Sequence, residues 1–329
     1  MRQFYIKSIV FIGIVSLSIF LLGIRLEKKD PADYLAAIID KHHRLDSIHG
    51  PRLIFVGGSN LAFGIDSKLV ESELKMPVVN LGLHAGLGLE FILNEISSQM
   101  KSGDEVVISL EYYLSGKGEY DLKVKAAEYY PPAKDYFESN IMGNIRYAVD
   151  RKRSAAIENL SALKKLVFAV SNIAKTPNQN PNVYERNCFN AYGDVECHKN
   201  QNSSIRADDI DPIKYKEYEG ISMLNDFYKL AKEKGVHIYF MYPNFPVSVF
   251  NLNKEVIKEY QKDISTKLLI PVLNTPEDFL YDDSLFFDTV YHLNGKGREI
   301  RTKAFIDFYR KGRGARDEGR KPELLGESD

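Results

Sequence analysis

The chain has 329 residues, 44% of them hydrophobic and 27% charged, and a formal net charge of −1 at pH 7. This composition is typical of a globular protein with one large domain or two small ones. The nearly balanced charge excludes the basic excess that nucleic-acid binding needs, and the chain carries no nucleic-acid motif.

The N-terminal segment is predicted to be a membrane anchor. Residues 8–24 are uncharged, with Arg2 and Lys7 before them and Arg25 after them. A run of this length is at the short end of the range for a membrane span. Because no small-residue cleavage site follows, an uncleaved signal-anchor over residues 1–29 is favoured over a removed signal peptide. Basic residues flank both ends, so the charge rule leaves the orientation open.

The rest of the chain alternates short apolar runs with amphipathic helical patterns, which is typical of an α/β fold. We expect a three-layer α/β/α sandwich with a mostly parallel, five-stranded sheet. Pro271 lies in the fifth strand and suggests an edge position. The domain is predicted over residues 30–312, followed by a charged, disordered tail over 313–329. The predicted strands are residues 53–56, 76–81, 105–110, 236–241 and 268–273.

Residues 112–211 interrupt this alternation without a clear strand. They are predicted to form a helical insertion after strand three, as a cap over a site or a surface for a partner. The chain's two cysteines, Cys188 and Cys197, lie within the insertion. They suggest a short disulfide loop if the domain is extracytoplasmic, and two free thiols if it is not. His198 has no second ligand pair at finger-type spacing, so no metal site is predicted.

Three polar residues at strand and helix ends have the character of a nucleophilic site. Ser59 follows the first strand and two glycines. It therefore lies at the carboxyl end of a strand, where the sites of open α/β sheets are found. Asp288 and His292 precede the last amphipathic helix. A serine nucleophile needs a base, and the base needs a group that orients it. The alternative assigns Asp288 to a loop or a helix cap.

The glycine-punctuated loop over residues 82–88 follows strand two. Its backbone N–H groups could stabilise a developing oxyanion. Its glycine spacing matches neither the P-loop nor the dinucleotide fingerprint, so no cofactor is predicted. His84 in this loop either contacts substrate or is an ordinary polar loop side chain.

Residues 55–60, 78–82 and 288–292 together resemble conserved blocks of the SGNH (GDSL-type) hydrolase superfamily, which has a flavodoxin-like fold. The resemblance implies that Ser59 is the nucleophile, His292 the base and Asp288 its orienter. It also implies that the backbone N–H groups of Ser59 and Gly82 bind the oxyanion.

The chain departs from this family at three points. Gly58 stands where the family has Asp, Glu111 stands where it has an oxyanion-binding Asn, and the Asp-to-His spacing is one residue longer. Losing one oxyanion donor costs about 10²–10³ in rate. Asn60 and Asn244 are candidate replacements, and Glu111 either faces the site or forms a salt bridge with the insertion.

These features resemble the divergent branch that contains polysaccharide O-acetyltransferases and D-alanyl transfer proteins. The resemblance implies a single-pass, membrane-anchored serine esterase or O-acyltransferase with an extracytoplasmic domain, acting on an envelope polysaccharide or glycolipid. One alternative is a catalytically degenerate binding or assembly module of an envelope biosynthesis complex. Another is a lipid esterase facing the cytoplasm.

Overall fold

The computed structural model of the chain describes residues 2–25, 29–169, 182–205, 212–214 and 216–318. The chain divides into two compact units. One contains residues 1–31 and 138–181, and the other contains residues 32–137 and 182–329. The predicted insertion is therefore not one block, because its middle part belongs to the first unit and its two ends belong to the second.

Among the described residues, the first unit contains two helices that pack against each other, α1 (Arg2–Arg25) and α7 (Ile141–Ala169). Helix α1 coincides with most of the predicted anchor. Within the part of the chain that the structure describes, no helix combines the length and the hydropathy that crossing a membrane requires.

The second unit contains a parallel sheet with the strand order β2-β1-β3-β4. Ile54 of β1 pairs with Val79 of β2 on one side and with Val106 of β3 on the other, and Val106 in turn pairs with Ile238 of β4. The prediction of an α/β fold with a mostly parallel sheet is thus confirmed. The strands are β1 (Leu53–Gly57), β2 (Val78–Asn80), β3 (Glu105–Ser109) and β4 (His237–Phe240).

The prediction of five strands is wrong, because the segment 268–273 forms only a bridge between Val272 and Phe240. The N–H of Phe240 donates to the carbonyl of Pro271, and the N–H of Leu273 donates back to the carbonyl of Phe240. The next bond of a parallel ladder would need an N–H at residue 271. Proline has none, so the pairing stops there.

Helices cover both faces of the sheet because alternate strand residues point to opposite sides. Ile54 and Val106 pack with apolar side chains of α5, α8 and α9, while Phe55 and Val107 pack with those of α4 and α10. The helices of this unit are α2 (Ala37–Ser47), α3 (Ser59–Gly64), α4 (Ser67–Leu74), α5 (Gly88–Ser97), α6 (Tyr120–Tyr129), α8 (Gly220–Glu233), α9 (Val247–Lys267) and α10 (Gly295–Asp317). Two short strands, β5 (Phe245–Pro246) and β6 (Leu280–Tyr281), form a second, two-stranded parallel sheet.

The two cysteines are joined by a disulfide, so the loop between Cys188 and Cys197 is closed. This loop carries Asp194 into the interior, where the side chain is fully buried. Its carboxylate accepts hydrogen bonds from the Ser67 hydroxyl (2.6 Å) and the Asn80 amide (2.9 Å). The loop therefore ties the start of α4 to the end of β2, close to the predicted site.

The predicted disordered tail begins too early, because α10 continues through residues 313–317. Arg316 donates a hydrogen bond to the Tyr239 hydroxyl (2.9 Å) and lies 3.4 Å from Glu105. These partners lie on β4 and β3, and they hold the last turn of the helix against the sheet. Residues 319–329 lie outside the described residues.

Candidate functional site

Ser59 is the first residue of α3, directly after β1, and Gly58 is the N-cap residue of this helix. The positive end of the helix dipole therefore lies at the serine. Ser59 is partly exposed. None of the hydrogen bonds among the described residues involves its hydroxyl, which leaves the oxygen free to meet a substrate.

His292 lies on a loop that its own backbone closes. Phe286 and Leu293 form an antiparallel bridge, and the N–H of Phe287 donates to the carbonyl of His292 (2.8 Å). Nδ1 of His292 lies 2.8 Å from Oδ1 of Asp288. With Nδ1 bound to the carboxylate, Nε2 is the nitrogen that remains to accept a proton.

The ring of Phe63, on α3, contacts the imidazole of His292. The imidazole stacks on Phe63 with ring centroids 3.9 Å apart and an angle of 7° between the planes. Ser59 and Phe63 are four residues apart on one helix, so their side chains lie on the same face. The structure thus brings Asp288 and His292 together and places the imidazole against the helix that Ser59 begins, while no hydrogen bond joins Ser59 to His292 among the described residues.

Tyr184 is a member of this site that the sequence did not reveal. Its hydroxyl donates a short hydrogen bond to Oδ2 of Asp288 and lies 3.2 Å from Nδ1 of His292. Burial by itself raises the pKa of Asp288, but the hydrogen bonds from His292 and Tyr184 outweigh it and hold the pKa below its ordinary value. Asp288 therefore stays ionised as the partner of His292. Tyr184 lies in the polar insertion, 108 residues before His292, where no periodicity or spacing marks it.

Glu111 contacts the first turn of α3, as the first of the two alternatives for this residue expects. Its Oε1 accepts a hydrogen bond from the backbone N–H of Asn60 (3.1 Å), in the first turn of α3. Its Oε2 is buried and has no hydrogen-bond partner among the described residues. A Cβ on Gly58 would lie only 2.3 Å from Oε2. The carboxyl group therefore fills the space that a side chain at residue 58 would occupy.

The side chains of the two candidate asparagines form hydrogen bonds with core residues. The side chain of Asn60 donates to the carbonyl of Ser109 (3.0 Å) and accepts from Arg301 (3.1 Å). The side-chain amide of Asn244 donates to the carbonyl of Tyr291 (3.1 Å). Both side chains are fully buried. Both amide groups therefore make hydrogen bonds within the core.

Gly82 and His84 lie close to the site. The backbone N–H of Gly82 and the ring Nδ1 of His84 both take part in hydrogen bonds. The N–H of Gly82 donates to Oδ1 of Asn80 (3.0 Å), so this predicted oxyanion donor is occupied. Nδ1 of His84 accepts a hydrogen bond from the N–H of Gly86 (2.9 Å). Burial lowers the pKa of His84, although the nearby carboxylates of Glu119 and Glu111 oppose the shift.

Among the described residues, no group of three or more His, Cys, Asp or Glu side chains could hold a metal ion. No model of a known protein family matches the chain, and no curated protein matches it.

Proposed function

We propose that the protein is a serine esterase or O-acyltransferase that acts on ester-linked acyl groups. One observation carries this proposal: a histidine oriented by a carboxylate stacks on the face of the helix that Ser59 begins. A serine at a helix start, an adjacent base and an orienting carboxylate are the three parts of an activated nucleophile.

In the first half-reaction, Ser59 Oγ attacks the acyl carbonyl while Nε2 of His292 takes the hydroxyl proton. The tetrahedral intermediate collapses, the leaving alcohol receives that proton, and the acyl group stays on Ser59 as an ester. In the second half-reaction, a water molecule or a sugar hydroxyl gives its proton to His292 and attacks this ester. Ser59 then leaves and recovers its proton. Hydrolysis and transfer differ only in the acceptor.

The surroundings of the serine favour a second candidate, a catalytically degenerate module that binds or assembles rather than reacts. The N–H of Gly82 is engaged by Asn80, and the carboxyl group of Glu111 lies at the start of α3. Oε1 of this group accepts a hydrogen bond, so it is not a donor to the negative charge that develops on a substrate oxygen. The first candidate is preferred because Asp288 and His292 are arranged as a working pair.

The same proposal includes membership of the SGNH family and the layered sandwich fold. It also includes an envelope polysaccharide or glycolipid as substrate and an extracytoplasmic location. The parallel sheet and the position of Ser59 after its first strand support the family assignment. Membrane attachment through residues 1–29 is supported by the apolar side chains that α1 exposes, among them Phe4, Phe11, Ile12 and Ile14.

Mass spectrometry of the intact protein tests the proposed function. The full-length protein in detergent is mixed with p-nitrophenyl acetate, the reaction is quenched in acid, and the mass of the intact protein is measured. We expect one added acetyl group on the wild type, located on Ser59 by peptide mapping, and none on Ser59→Ala. Acetylation that persists in Ser59→Ala would contradict the assignment of the nucleophile. A folded wild type that is never acylated would favour the second candidate.

A further inference from the structure

We propose that Tyr184 is a positioning residue of this site: its hydroxyl fixes the Asp288 carboxylate, and through it the ring of His292. The inference rests on the proposed function, because it assigns a role within the same reaction. Tyr184 itself does not contact the reacting atoms.

Both oxygens of Asp288 are engaged by different partners. Oδ1 lies 2.8 Å from Nδ1 of His292, and Oδ2 accepts the hydrogen bond from the Tyr184 hydroxyl. A carboxylate held at both oxygens cannot rotate without breaking one hydrogen bond. Its orientation fixes the direction of the imidazole, and therefore the direction in which Nε2 points.

The residues that follow Tyr184 are anchored to the start of the domain. Glu185 forms an antiparallel bridge with Asp33, and Arg186 donates two hydrogen bonds of 2.7 Å to the Asp40 carboxylate. The phenol ring also lies against Tyr34, at 5.8 Å between centroids. Tyr184 therefore contacts Asp288 from a segment that is bound to residues at the start of the domain.

The chemistry of the phenol fits a hydrogen-bond donor rather than a nucleophile. Burial raises the pKa of Tyr184 well above its ordinary value, and the hydrogen bond to Asp288 and the charge of that carboxylate raise it further. The hydroxyl consequently keeps its proton throughout the physiological pH range. Ser59 remains the nucleophile of the proposed reaction.

Tyr184→Phe tests the proposal, because it removes only the hydroxyl and leaves the ring. Tyr192→Phe is a matched control. The Tyr192 hydroxyl also donates to a carboxylate, that of Glu71 (3.3 Å), from within the disulfide loop. Two readouts are compared in the full-length protein: the titration of Asp288 by carbon NMR of labelled aspartate, and the rate of Ser59 acylation by p-nitrophenyl acetate.

In Tyr184→Phe we expect the pKa of Asp288 to rise, because the carboxylate loses a hydrogen bond that favours its charged form. We expect the maximal acylation rate to fall about tenfold, with the half-saturating reagent concentration unchanged, since a hydrogen bond to a charged group is lost. Tyr192→Phe should change neither quantity.

An unchanged pKa of Asp288 and an unchanged rate in Tyr184→Phe would overturn the proposal. Equal effects of both substitutions would also overturn it, because they would show a general loss of stability. The NMR titration does not depend on activity. If the wild type is never acylated and the pKa of Asp288 still rises only in Tyr184→Phe, the positioning contact stands and the proposed reaction falls.

Discussion

The carboxyl group of Glu111 lies against the Cα of Gly58, so closely that a Cβ on residue 58 would approach Oε2 to 2.3 Å. The sequence shows these residues as two separate departures from the SGNH pattern. The structure joins them, because one side chain occupies the space of the other. Glu111 accepts the N–H of Asn60 in the first turn of α3, where Gly58 has no side chain to do so. A helix N-cap side chain normally accepts an N–H of the first turn. Here Glu111, which follows β3, accepts it instead.

Gly58→Ala should therefore destabilise the protein, and removing the Glu111 side chain should relieve part of the cost. Crowding a packed site costs about 1–3 kcal/mol. We expect Gly58→Ala and Glu111→Ala to be coupled by about 1 kcal/mol or more in a double-mutant cycle. Urea denaturation of the four proteins measures this coupling. Strictly additive effects would show that the two residues do not compete for space.

Glu111→Gln should accelerate acylation of Ser59 if the protein is an esterase. The substitution keeps an oxygen for the N–H of Asn60 and gives the site an amide donor close to the serine. One oxyanion donor is worth about 10²–10³ in rate. A gain of about tenfold or more in the p-nitrophenyl acetate assay is expected, because the substitution adds a donor near the serine that is not ideally placed. A slower variant of unchanged stability would show that Glu111 takes part in the reaction as a carboxyl group.

His198 should make the protein less stable as the solution becomes mildly acidic. Burial lowers its pKa from 6.5 to about 4, with a further contribution from the charge of Arg298. Between these two values the unfolded chain binds a proton that the folded protein does not. Stability therefore falls as pH drops from about 6.5 to about 4, by about 3 kcal/mol at most.

His198→Phe is the matched variant for this prediction. His198 packs against the rings of Phe63 and Phe287, at 4.7 and 5.9 Å between centroids, so a phenyl ring suits the site. Urea denaturation at pH 7 and pH 4.5 should show a smaller loss of stability in the variant than in the wild type. The same loss in both proteins would assign the pH dependence to other groups.

Membrane attachment through α1 should depend on its exposed apolar side chains. Phe11→Asp combined with Ile14→Asp places two charges among them, and both residues are more than half exposed. In a flotation assay with phospholipid vesicles, we expect the wild type to float and this variant to remain at the bottom. Leu252→Asp alters a similarly exposed apolar residue of α9 and should float like the wild type. Flotation of the Phe11/Ile14 variant would contradict attachment through α1.

The sequence predicts those strands and helices whose apolar residues recur at a regular spacing. Short apolar runs identify β1 to β4. The fifth strand fails because Pro271 interrupts a ladder that the apolar pattern alone cannot assess. The sequence does not predict helix α3, because this helix has only six residues and begins directly after the glycine turn.

The candidate site is predictable only where a local motif marks it. Ser59, Asp288 and His292 stand beside glycines or at a helix start, so their positions are visible in the sequence. Tyr184 reaches Asp288 across 104 residues, and nothing local records that contact. The sequence points to Glu111 as a departure from the family, but only the packing against Gly58 shows what the departure achieves.

The central claim is that Ser59 is a nucleophile activated by His292. The most direct measurement is labelling of the folded, full-length protein by a fluorophosphonate probe, with Ser59→Ala and His292→Ala beside the wild type. We predict labelling of the wild type, none of Ser59→Ala and at least about a hundredfold slower labelling of His292→Ala, since general base catalysis supplies about 10²–10⁴. Absence of labelling in a folded wild type, or labelling that does not need Ser59, would contradict the claim.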